Sequence, residues 1–563
     1  MAPHELWPYI QSWLHACDRQ HAHKDSPTTH PDHDLPNPPN MLLIDVQELR
    51  LVAFEAGTRY VALSYVCGPR PSFRNTKKQL QRLSKVGGLR FIWAELPSTV
   101  QQAIVLTKVL GERYLWADTP CIVMESKQAQ LRALHDIYRG AVLTTVAAQG
   151  ADGDAGLLSS LEGRSTQQSD RGHSTHSPAK DGPQGCLGLM RGPWFERAWT
   201  LQEWLMSSRM LLFSEAGIFW HCTHRTNSLH VRHDIEISTM DYDVNLFRDQ
   251  WNRFRLACCL GPPTKQPASI PDDASDVFGL YKWVVETYTR RRLSFAEDVL
   301  DAFHGLSIHL GKALQCPMVQ GLPVQETLFC GALLWRGTNT SQGQGRRSGF
   351  PSWSWTGTLH AITYDYLPEF LRHGIRDWSL DGWKGSVPQL SAQGSMVQIT
   401  SRTPTLSAPN APLSSGKLSV DRFMEGLPST KYLQIRSWTG QLPMTKGDEG
   451  KYHFTSSTGK TSAEVCLDAP SDGADSQKLL HIILIPPSPR AVSVFEDTVY
   501  VDCYANGLER SCARPTYDSY SYWAALAIRW RESHKMAERI GVGWVRYLCF
   551  DEMAMENRDV TLI

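Results

Sequence analysis

Three polar side chains, Ser64, Asp118 and Glu203, occur where an α/β domain places the residues of a ligand site. Ser64 ends the apolar run YVALS, Asp118 directly follows the run RYLWA, and Glu203 lies in the sequence ERAWTLQEW. Ligands of open α/β sheets bind outside the carboxyl ends of the strands. If the strands are parallel, the three side chains therefore meet in one cleft.

Two of these residues each allow two interpretations. A hydroxyl at Ser64 can donate to a phosphate or ribose oxygen of a ligand, but a serine in a turn also bonds its own backbone. The Asp118 carboxylate can accept a hydrogen bond from a sugar hydroxyl, as acidic residues do in dinucleotide-binding folds, or it can cap the turn that follows. The residues alone leave these alternatives open.

Glu203 is the candidate for acid–base chemistry. Trp199 stands four positions before it and Thr200 three, so the three share one face of a helix. We expect the large Trp199 side chain to be buried, which would keep Glu203 out of open water and raise its pKa. The alternative is a surface glutamate that pairs with Arg197 or Arg209.

Cys121 is a candidate nucleophile because it closely follows Asp118. Activation of its thiol needs a nearby base or a helix N-terminus, and no histidine is close to it in the sequence. His221 and His224 are the candidate bases from further along the chain. The alternative is a small buried side chain without a chemical role.

Alternating strand and helix patterns predict the elements that position these residues. YVALSY, RYLWA and VLTTVAA are apolar runs typical of buried strands. A helix is predicted from Ser98 to Gly111, and a second amphipathic helix is predicted near 131–141. Helices of this length between strands imply crossovers and a parallel sheet. From Phe350 on, short runs such as SWSWTG and LLHIILI predict an antiparallel β-rich region.

The predicted fold class is therefore α/β at the N-terminal end, followed by a helical segment and a β-rich C-terminal region. The predicted domains are an N-terminal helix and polar linker (1–40), an α/β domain (41–222, core motifs 60–206, inserted loop 159–190), a helical segment (223–345) and a β-rich region (346–563).

Composition narrows the classes of partner. The 563 residues include 57 basic and 57 acidic side chains, so no net charge attracts nucleic acid. No apolar stretch is long enough to span a bilayer, and no secretory leader is evident, so a cytoplasmic location is expected. The 13 cysteines fit reduced thiols, and the His-rich residues near the N-terminus match no zinc spacing, so no metal is expected.

The combined motifs resemble the heterokaryon incompatibility (HET) domain of filamentous fungi. The usual family pattern is ALSYxWG, LPxTIxDA, YLWVDALCIxQ, IYxxAxLTIVAA and RxWTLQE. This chain has ALSYVCG, LPSTVQQA, YLWADTPCIVME, IYRGAVLTTVAA and RAWTLQE in the same order, over about residues 60–203. Cys67 stands where the family has Trp, and Thr119 and Pro120 replace Ala-Leu. Later pieces, including RRRLSFAEDVLDAFHGL and FPSWSWTG, also resemble fungal members.

HET domains are in turn similar to Toll/interleukin-receptor (TIR) domains, whose NAD-cleaving members carry their glutamate in a WxxxE motif. Trp199 and Glu203 have that spacing. The resemblance implies a flavodoxin-like domain in which Glu203 is catalytic and acts on the ribose of NAD or a related nucleotide, a substrate rather than a bound cofactor. The substrate contacts that it implies are Ser64, Tyr65, Gly68, Asp118, Cys121, Trp199 and Thr200.

The resemblance also implies a role in fungal non-self recognition and regulated cell death, with self-association or protein partners. Two other functions stay open. One is a non-enzymatic signalling module that self-associates and recruits partners. The other is a cysteine hydrolase that uses Cys121 with His221 or His224.

Overall fold

A computed structural model of the chain divides into two compact units. The first comprises Met1–Ile270, Arg291–Leu293 and Asp301–Leu306, and the second comprises Pro271–Arg290, Ser294–Leu300 and Ser307–Ile563. The structure describes residues 3–20, 38–68, 73–157, 192–214, 217–222, 226–230, 251–255, 258, 274–338, 345–364, 390–393, 396–399, 432–447, 451–455, 459, 461–468, 477–485, 491–495, 498–502, 522–531, 536–546 and 556–563. The predicted loop 159–190 and most of the predicted polar linker lie outside these residues.

The first unit is built on an eight-stranded sheet. Its strands are β1 (Leu42–Asp45), β2 (Arg50–Ala53), β3 (Val61–Ser64), β4 (Tyr114–Trp116), β5 (Leu143–Ala147), β6 (Arg209–Ser214), β7 (Gly217–Cys222) and β8 (Thr226–His230). Their order across the sheet is β2-β1-β4-β3-β5-β6-β7-β8. The four middle strands, β4-β3-β5-β6, are parallel, as predicted. Numbered by their place in the chain, these four run 2-1-3-4, the order with which flavodoxin-like sheets begin.

The sheet is mixed rather than wholly parallel, which corrects the prediction at both edges. β1 is antiparallel to both β2 and β4, and β7 is antiparallel to both β6 and β8. Only residues 46–49 separate β1 from β2, and only residues 215–216 separate β6 from β7. Connections this short join antiparallel strands, because a parallel neighbour needs a crossover of a dozen or more residues.

Helices flank this sheet. They are α1 (Pro3–Gln20), α2 (Lys77–Leu83), α3 (Ser98–Val109), α4 (Asp118–Cys121), α5 (Lys127–Arg132), α6 (Leu134–Gly140), α7 (Pro193–Glu196) and α8 (Trp199–Met206), with 3-10 helices at Gly88–Glu95 and Met124–Ser126 and a helical stretch at 251–255. The predicted helix from Ser98 is confirmed, because α3 starts there and Gly111, with φ of 82°, lies just beyond its end. Its buried face includes Val100, Ala103 and Ile104.

Burial explains why β3, β5, β6 and β7 are largely apolar in sequence. Every residue of β3, β5, β6 and β7 is buried. Strands covered on both faces have no reason to alternate polar and apolar side chains.

The second unit begins with helices and short hairpins. Its elements here are α9 (Ala274–Thr289), α10 (His304–Ala313, whose first residues belong to the first unit), α11 (Glu326–Ala332), β9 (Met318–Val319), β10 (Leu322–Pro323), β11 (Arg336–Gly337) and β12 (Ile362–Thr363), with 3-10 helices at Ala296–Val299 and Trp355–Gly357.

The run SWSWTG forms a 3-10 turn, not the strand that its alternation predicted. The Ser354 side chain accepts a hydrogen bond from the backbone of Thr356, which caps the turn. Trp353 and Trp355 are both fully buried, and Trp355 Nε1 donates to the carbonyl of Gly321 at 3.2 Å. A Cβ at Gly321 would lie 2.2 Å from the Trp355 ring, so this close approach requires glycine. The alternation therefore reflects aromatic anchoring of a turn.

The rest of the second unit is an eleven-stranded sheet, which confirms the predicted β-rich region. Its strands are β13 (Leu390–Gln393), β14 (Met396–Ile399), β15 (Tyr432–Lys446), β16 (Lys451–Thr455), β17 (Thr461–Leu467), β18 (Gln477–Ile485), β19 (Ala491–Phe495), β20 (Thr498–Asp502), β21 (Tyr522–Arg531), β22 (Met536–Arg546) and β23 (Glu556–Leu562).

Pairing of β15 with β18 closes six strands, β15-β16-β17-β22-β21-β18, into a ring. Residues of these strands, including Leu442, Val465, Ile482 and Val545, form one buried apolar cluster. All neighbours within the ring are antiparallel. Across the described ranges of both units, no helix combines the length and apolar character needed to cross a membrane.

Candidate functional site

Ser64 and Glu203 meet directly in the first unit. Ser64 ends β3, and its hydroxyl donates to Glu203 Oε2, which reaches it from α8. Trp194 Nε1 donates to Ser64 Oγ at 2.6 Å. The three side chains therefore form a hydrogen-bonded chain, from Trp194 through Ser64 to the Glu203 carboxyl group. Trp194 and Ser64 are both buried, so this chain starts in the interior of the unit.

The Glu203 carboxyl has a pKa close to neutral pH. Its pKa is raised to about 7, chiefly because its surroundings withhold water from the charged form, and the negative charge of Asp118 raises it further. The Ser64 hydrogen bond, the charge of Arg197 and a hydrogen bond with Tyr138 lower it. A carboxyl with a pKa near 7 exchanges a proton readily at physiological pH, which suits acid–base work.

Asp118 stands beside this group at the carboxyl end of β4. It is the first residue of α4, and its Oδ1 accepts from the backbone N–H of Thr119 at 2.6 Å. Its other oxygen, Oδ2, accepts from Cys67 Sγ at 2.7 Å. Asp118 thus binds the start of α4, as the capping alternative predicted, and also joins this turn to the segment after β3.

Tyr65 and Gly68 lie in the segment after β3, which contacts the segments after β4 and β5. The Tyr65 hydroxyl and Thr119 Oγ1 lie 2.6 Å apart, and Tyr65 is buried. Gly68 has φ of 80°, and a Cβ there would lie 2.7 Å from Cβ of Asp152. The segment after β3 therefore packs closely on the loop after β5. β3 and β5 are the strands between which the chain order reverses, and such a switch point is the binding crevice of open α/β sheets.

Trp199 and Thr200 occupy different positions from those expected. Trp199 is only half-buried, so the expectation that it is buried is wrong; Trp204, on the same helix, is fully buried instead. The Thr200 hydroxyl lies 2.6 Å from the carbonyl oxygen of Trp194 and 2.8 Å from that of Arg197. Thr200 therefore fixes the start of α8, and through it the placement of Glu203.

The alternative of a surface Glu203 paired with arginine does not fit this geometry. Arg209 is buried and pairs with Asp18, on α1. Among the described residues, no ion pair joins Glu203 to Arg197, although the Arg197 charge reaches the carboxyl.

The model of the family described as Heterokaryon incompatibility protein (HET) matches residues 60–203. The chain contains a HET domain. The match confirms the resemblance drawn from the motifs, and it extends from the start of β3 to Glu203. No curated protein and no solved structure matches the chain.

Cys121 lies within the HET domain but in a setting that disfavours a nucleophile. Its side chain is fully buried, and burial raises the pKa of its thiol to about 12, with a further increase from the Asp118 charge. A thiol of this pKa is almost wholly protonated at neutral pH and is a weak nucleophile. Of the two candidate bases, His221 is buried on β7, and His224 lies outside the described residues.

Sequence reasoning missed three residues of the site. Trp194 precedes the ERAWTLQEW motif and donates a hydrogen bond to Ser64. Tyr138, on α6, interacts with Glu203 and donates to the carbonyl of Leu63 at 3.2 Å. Arg291, far beyond the matched range, donates to Thr200 Oγ1 at 2.9 Å. The clustering of apolar residues around Tyr138 and Trp194 signalled burial, but nothing in the sequence linked either to Glu203.

The described residues contain no group of three or more His, Cys, Asp or Glu side chains arranged to hold a metal ion.

Proposed function

We propose that the HET domain of this protein cleaves the bond between ribose and nicotinamide in NAD, or the equivalent bond of a related nucleotide. Glu203 is the catalytic residue. The observation that carries this proposal is the Glu203 carboxyl group, which Ser64 holds at the carboxyl end of β3 and whose pKa is raised to about 7.

The proposed reaction needs one carboxylate and one water molecule. The bond between C1′ of the ribose and the pyridinium nitrogen breaks, and its electron pair leaves with nicotinamide, which departs neutral. The ionised Glu203 carboxylate stabilises the oxocarbenium ion that develops on the ribose. Water then attacks C1′ and loses a proton, first to Glu203 and then to solvent, which gives ADP-ribose, nicotinamide and H⁺.

The hydrogen-bonded chain supports this role because it opposes the cost of burial. Burial alone would keep Glu203 protonated, and a neutral carboxyl stabilises a cation poorly. The Ser64 hydroxyl favours the charged form, and Trp194 orients that hydroxyl. The site thus keeps a carboxylate in a place with little water, where its charge acts more strongly on a nearby cation than in bulk solvent.

Asp118 suits a contact with the ribose hydroxyls. Its carboxylate lies at the end of the neighbouring strand and acts electrostatically on Glu203. Carboxylates at this position in dinucleotide-binding folds accept hydrogen bonds from ribose. Destruction of NAD would be toxic to the cell, in keeping with a role in fungal non-self recognition and regulated cell death.

The test is to incubate the full-length protein with NAD and to quantify nicotinamide and ADP-ribose by chromatography. We expect Glu203→Gln to reduce the rate by about 10²-fold or more, because the amide cannot carry the charge. Glu196→Gln is the matched control, because Glu196 is an exposed glutamate in the neighbouring helix α7 and should not affect the rate.

The same variants separate this function from a non-enzymatic signalling module. Both would be expressed in a fungal host, where cell death is scored. Death that disappears with Glu203→Gln but persists with Glu196→Gln supports cleavage. Death that survives in a folded Glu203→Gln protein, together with no release of nicotinamide by the wild type, supports the module and ends the proposal.

A further inference from the structure

One side chain at the site comes from outside the residues that the family matches. Arg291 belongs to the segment Arg291–Leu293, which is part of the first unit. This segment pairs with the chain just before α8: a β-bridge joins Arg197 to Arg292, and the N–H of Ala198 donates to the carbonyl of Arg292 at 2.9 Å. The pairing holds Arg291 against the helix that carries Glu203.

The contacts of Arg291 are neutral. Its Nη1 donates to Thr200 Oγ1 at 2.9 Å and to the carbonyl of Arg197 at 3.3 Å, and its guanidinium lies over the Trp204 ring at 5.8 Å. No ion pair of Arg291 occurs within the ranges that the structure describes. Burial lowers its pKa to about 9, and the nearby charge of Glu203 offsets only part of that effect.

Arg292, the next residue, provides a contrast. It pairs with Glu196 at 3.5 Å, and 82% of its side chain is exposed. The two neighbouring arginines therefore differ in kind: Arg292 is a solvated surface cation, whereas Arg291 is half-buried beside the candidate catalytic group.

Two other positive contributions converge on the same place. The charge of Arg197 reaches both Glu203 and Cys67, and Arg197 forms no ion pair with any described residue. Helix α8 starts at Trp199, so the positive end of its dipole faces this side. Opposing them are Glu203, which is only partly ionised at neutral pH, and Asp118. Because Glu203 is only partly ionised, the two carboxyl groups do not fully balance the two guanidinium groups, and a bound anion would complete that balance.

We propose that Arg291, together with Arg197, binds a phosphate group of the same ligand whose ribose meets Glu203, so that the substrate is a phosphorylated nucleotide rather than a free nucleoside. This inference rests on the proposed function. Guanidinium groups suit the role because they bind phosphate through two parallel hydrogen bonds. The segment Arg291–Leu293 thus completes the site of the HET domain from beyond the matched range.

The test measures binding, so it does not depend on turnover. Full-length protein is titrated calorimetrically with ADP-ribose and with adenosine, which lacks phosphate. Arg291→Gln keeps a hydrogen-bond donor for Thr200 but removes the charge, and Arg292→Gln is the matched control. We expect Arg291→Gln to weaken ADP-ribose binding at least tenfold and to leave adenosine binding unchanged. Arg292→Gln should bind both ligands as the wild type does.

Several results would overturn the proposal. They are equal binding of ADP-ribose by wild type and Arg291→Gln, equal losses in both variants, and wild-type protein that binds ADP-ribose no more tightly than adenosine. Should Arg291→Gln fail to fold by circular dichroism, Arg291→Lys replaces it, and the expected result is retained but weaker ADP-ribose binding. ADP-ribose binding that depends on Arg291 without any cleavage of NAD refutes the proposed reaction alone, and cleavage with a KM insensitive to Arg291→Gln refutes the phosphate site alone.

Discussion

Ser64 and Glu203 lie 139 residues apart in the chain, yet the Ser64 hydroxyl donates its proton to the Glu203 carboxyl. A hydroxyl has one proton, and the bond that Ser64 accepts from Trp194 leaves that proton free to point at Glu203. The pKa of Glu203 is therefore a balance: burial favours the neutral acid, and the Ser64 hydrogen bond favours the anion. The charge of Asp118 also favours the neutral acid, and the Ser64 hydrogen bond and the Asp118 charge can each be removed by a single substitution.

Removal of the Ser64 hydroxyl should raise the pKa of Glu203. We expect the rising limb of the activity–pH profile of Ser64→Ala to move to higher pH. A rise of about one pKa unit lowers the ionised fraction of Glu203 at pH 7 from about one half to about one tenth, so the rate at pH 7 should fall about fivefold. Ser207→Ala is the matched control, because the Ser207 hydroxyl bonds the backbone carbonyl of Glu203 at 2.6 Å and not its carboxyl. An unmoved limb in Ser64→Ala would contradict the role given to this hydrogen bond.

Removal of the Asp118 charge should have the opposite effect. Asp118→Asn keeps an oxygen for the N–H of Thr119 but removes the negative charge that raises the pKa of Glu203. We expect the rising limb to move to lower pH, measured in the same assay. A shift to higher pH, in the direction of Ser64→Ala, would mean that Asp118 acts through folding of the α4 turn rather than through its charge.

Ionisation of Glu203 should destabilise the folded protein. Its pKa is about 7 in the folded state and near 4.5 when unfolded. The protonated Glu203 therefore contributes to the free energy of unfolding below pH 4.5, and this contribution is lost as pH rises through 7. We expect Glu203→Gln to exceed the wild type in free energy of unfolding at pH 8 by on the order of 2 kcal/mol, and by clearly less at pH 5. Denaturant titrations at both pH values measure this difference.

The exposed-site variant Glu196→Gln serves as the control for that experiment. It should show the same small effect at pH 5 and pH 8. A Glu203→Gln protein that is equally stable relative to wild type at both pH values would show that the Glu203 carboxyl is well solvated.

Local patterns were sufficient to predict the strands at the centre of the first unit. β3 and β5 are buried along their whole length, so each lies in a largely apolar run of the sequence. The edges were mispredicted because strand direction depends on connection length: the runs RMLLFS and GIFWHC are separated by two residues, which already indicates a hairpin.

The site was predictable only in part. Ser64, Asp118 and Glu203 could be inferred because strand ends and helix spacing are local signals. Trp194 could not, because it lies neither at a strand end nor at a helix spacing that would link it to Ser64. Trp199 was expected to be buried because of its size, but the fold buries Trp204 instead, and helix periodicity alone does not say which face the sheet covers.

The Cys121 thiol should be inert in the folded protein. It is fully buried, and its pKa of about 12 leaves almost no thiolate at pH 8. We expect iodoacetamide at pH 8 to leave Cys121 unmodified over hours, as followed by mass spectrometry of its peptide, and to modify it promptly after denaturation. Rapid alkylation of the native protein with parallel loss of activity would instead favour the cysteine hydrolase.

Gly68 should tolerate no side chain. It and Gly111 both have φ near 80°, so alanine at either position costs about 1–2 kcal/mol of backbone strain. The two differ in surroundings: a Cβ at Gly68 would lie 2.7 Å from Cβ of Asp152, whereas nothing lies within 4 Å of one at Gly111. We expect Gly68→Ala to lower the free energy of unfolding by roughly 1–3 kcal/mol more than Gly111→Ala, because the segment after β3 and the loop after β5 must move apart. Since these segments form the crevice beside Ser64, cleavage of NAD should also fall further in Gly68→Ala, and equal behaviour of the two variants in denaturant titrations would show that the crevice wall yields freely.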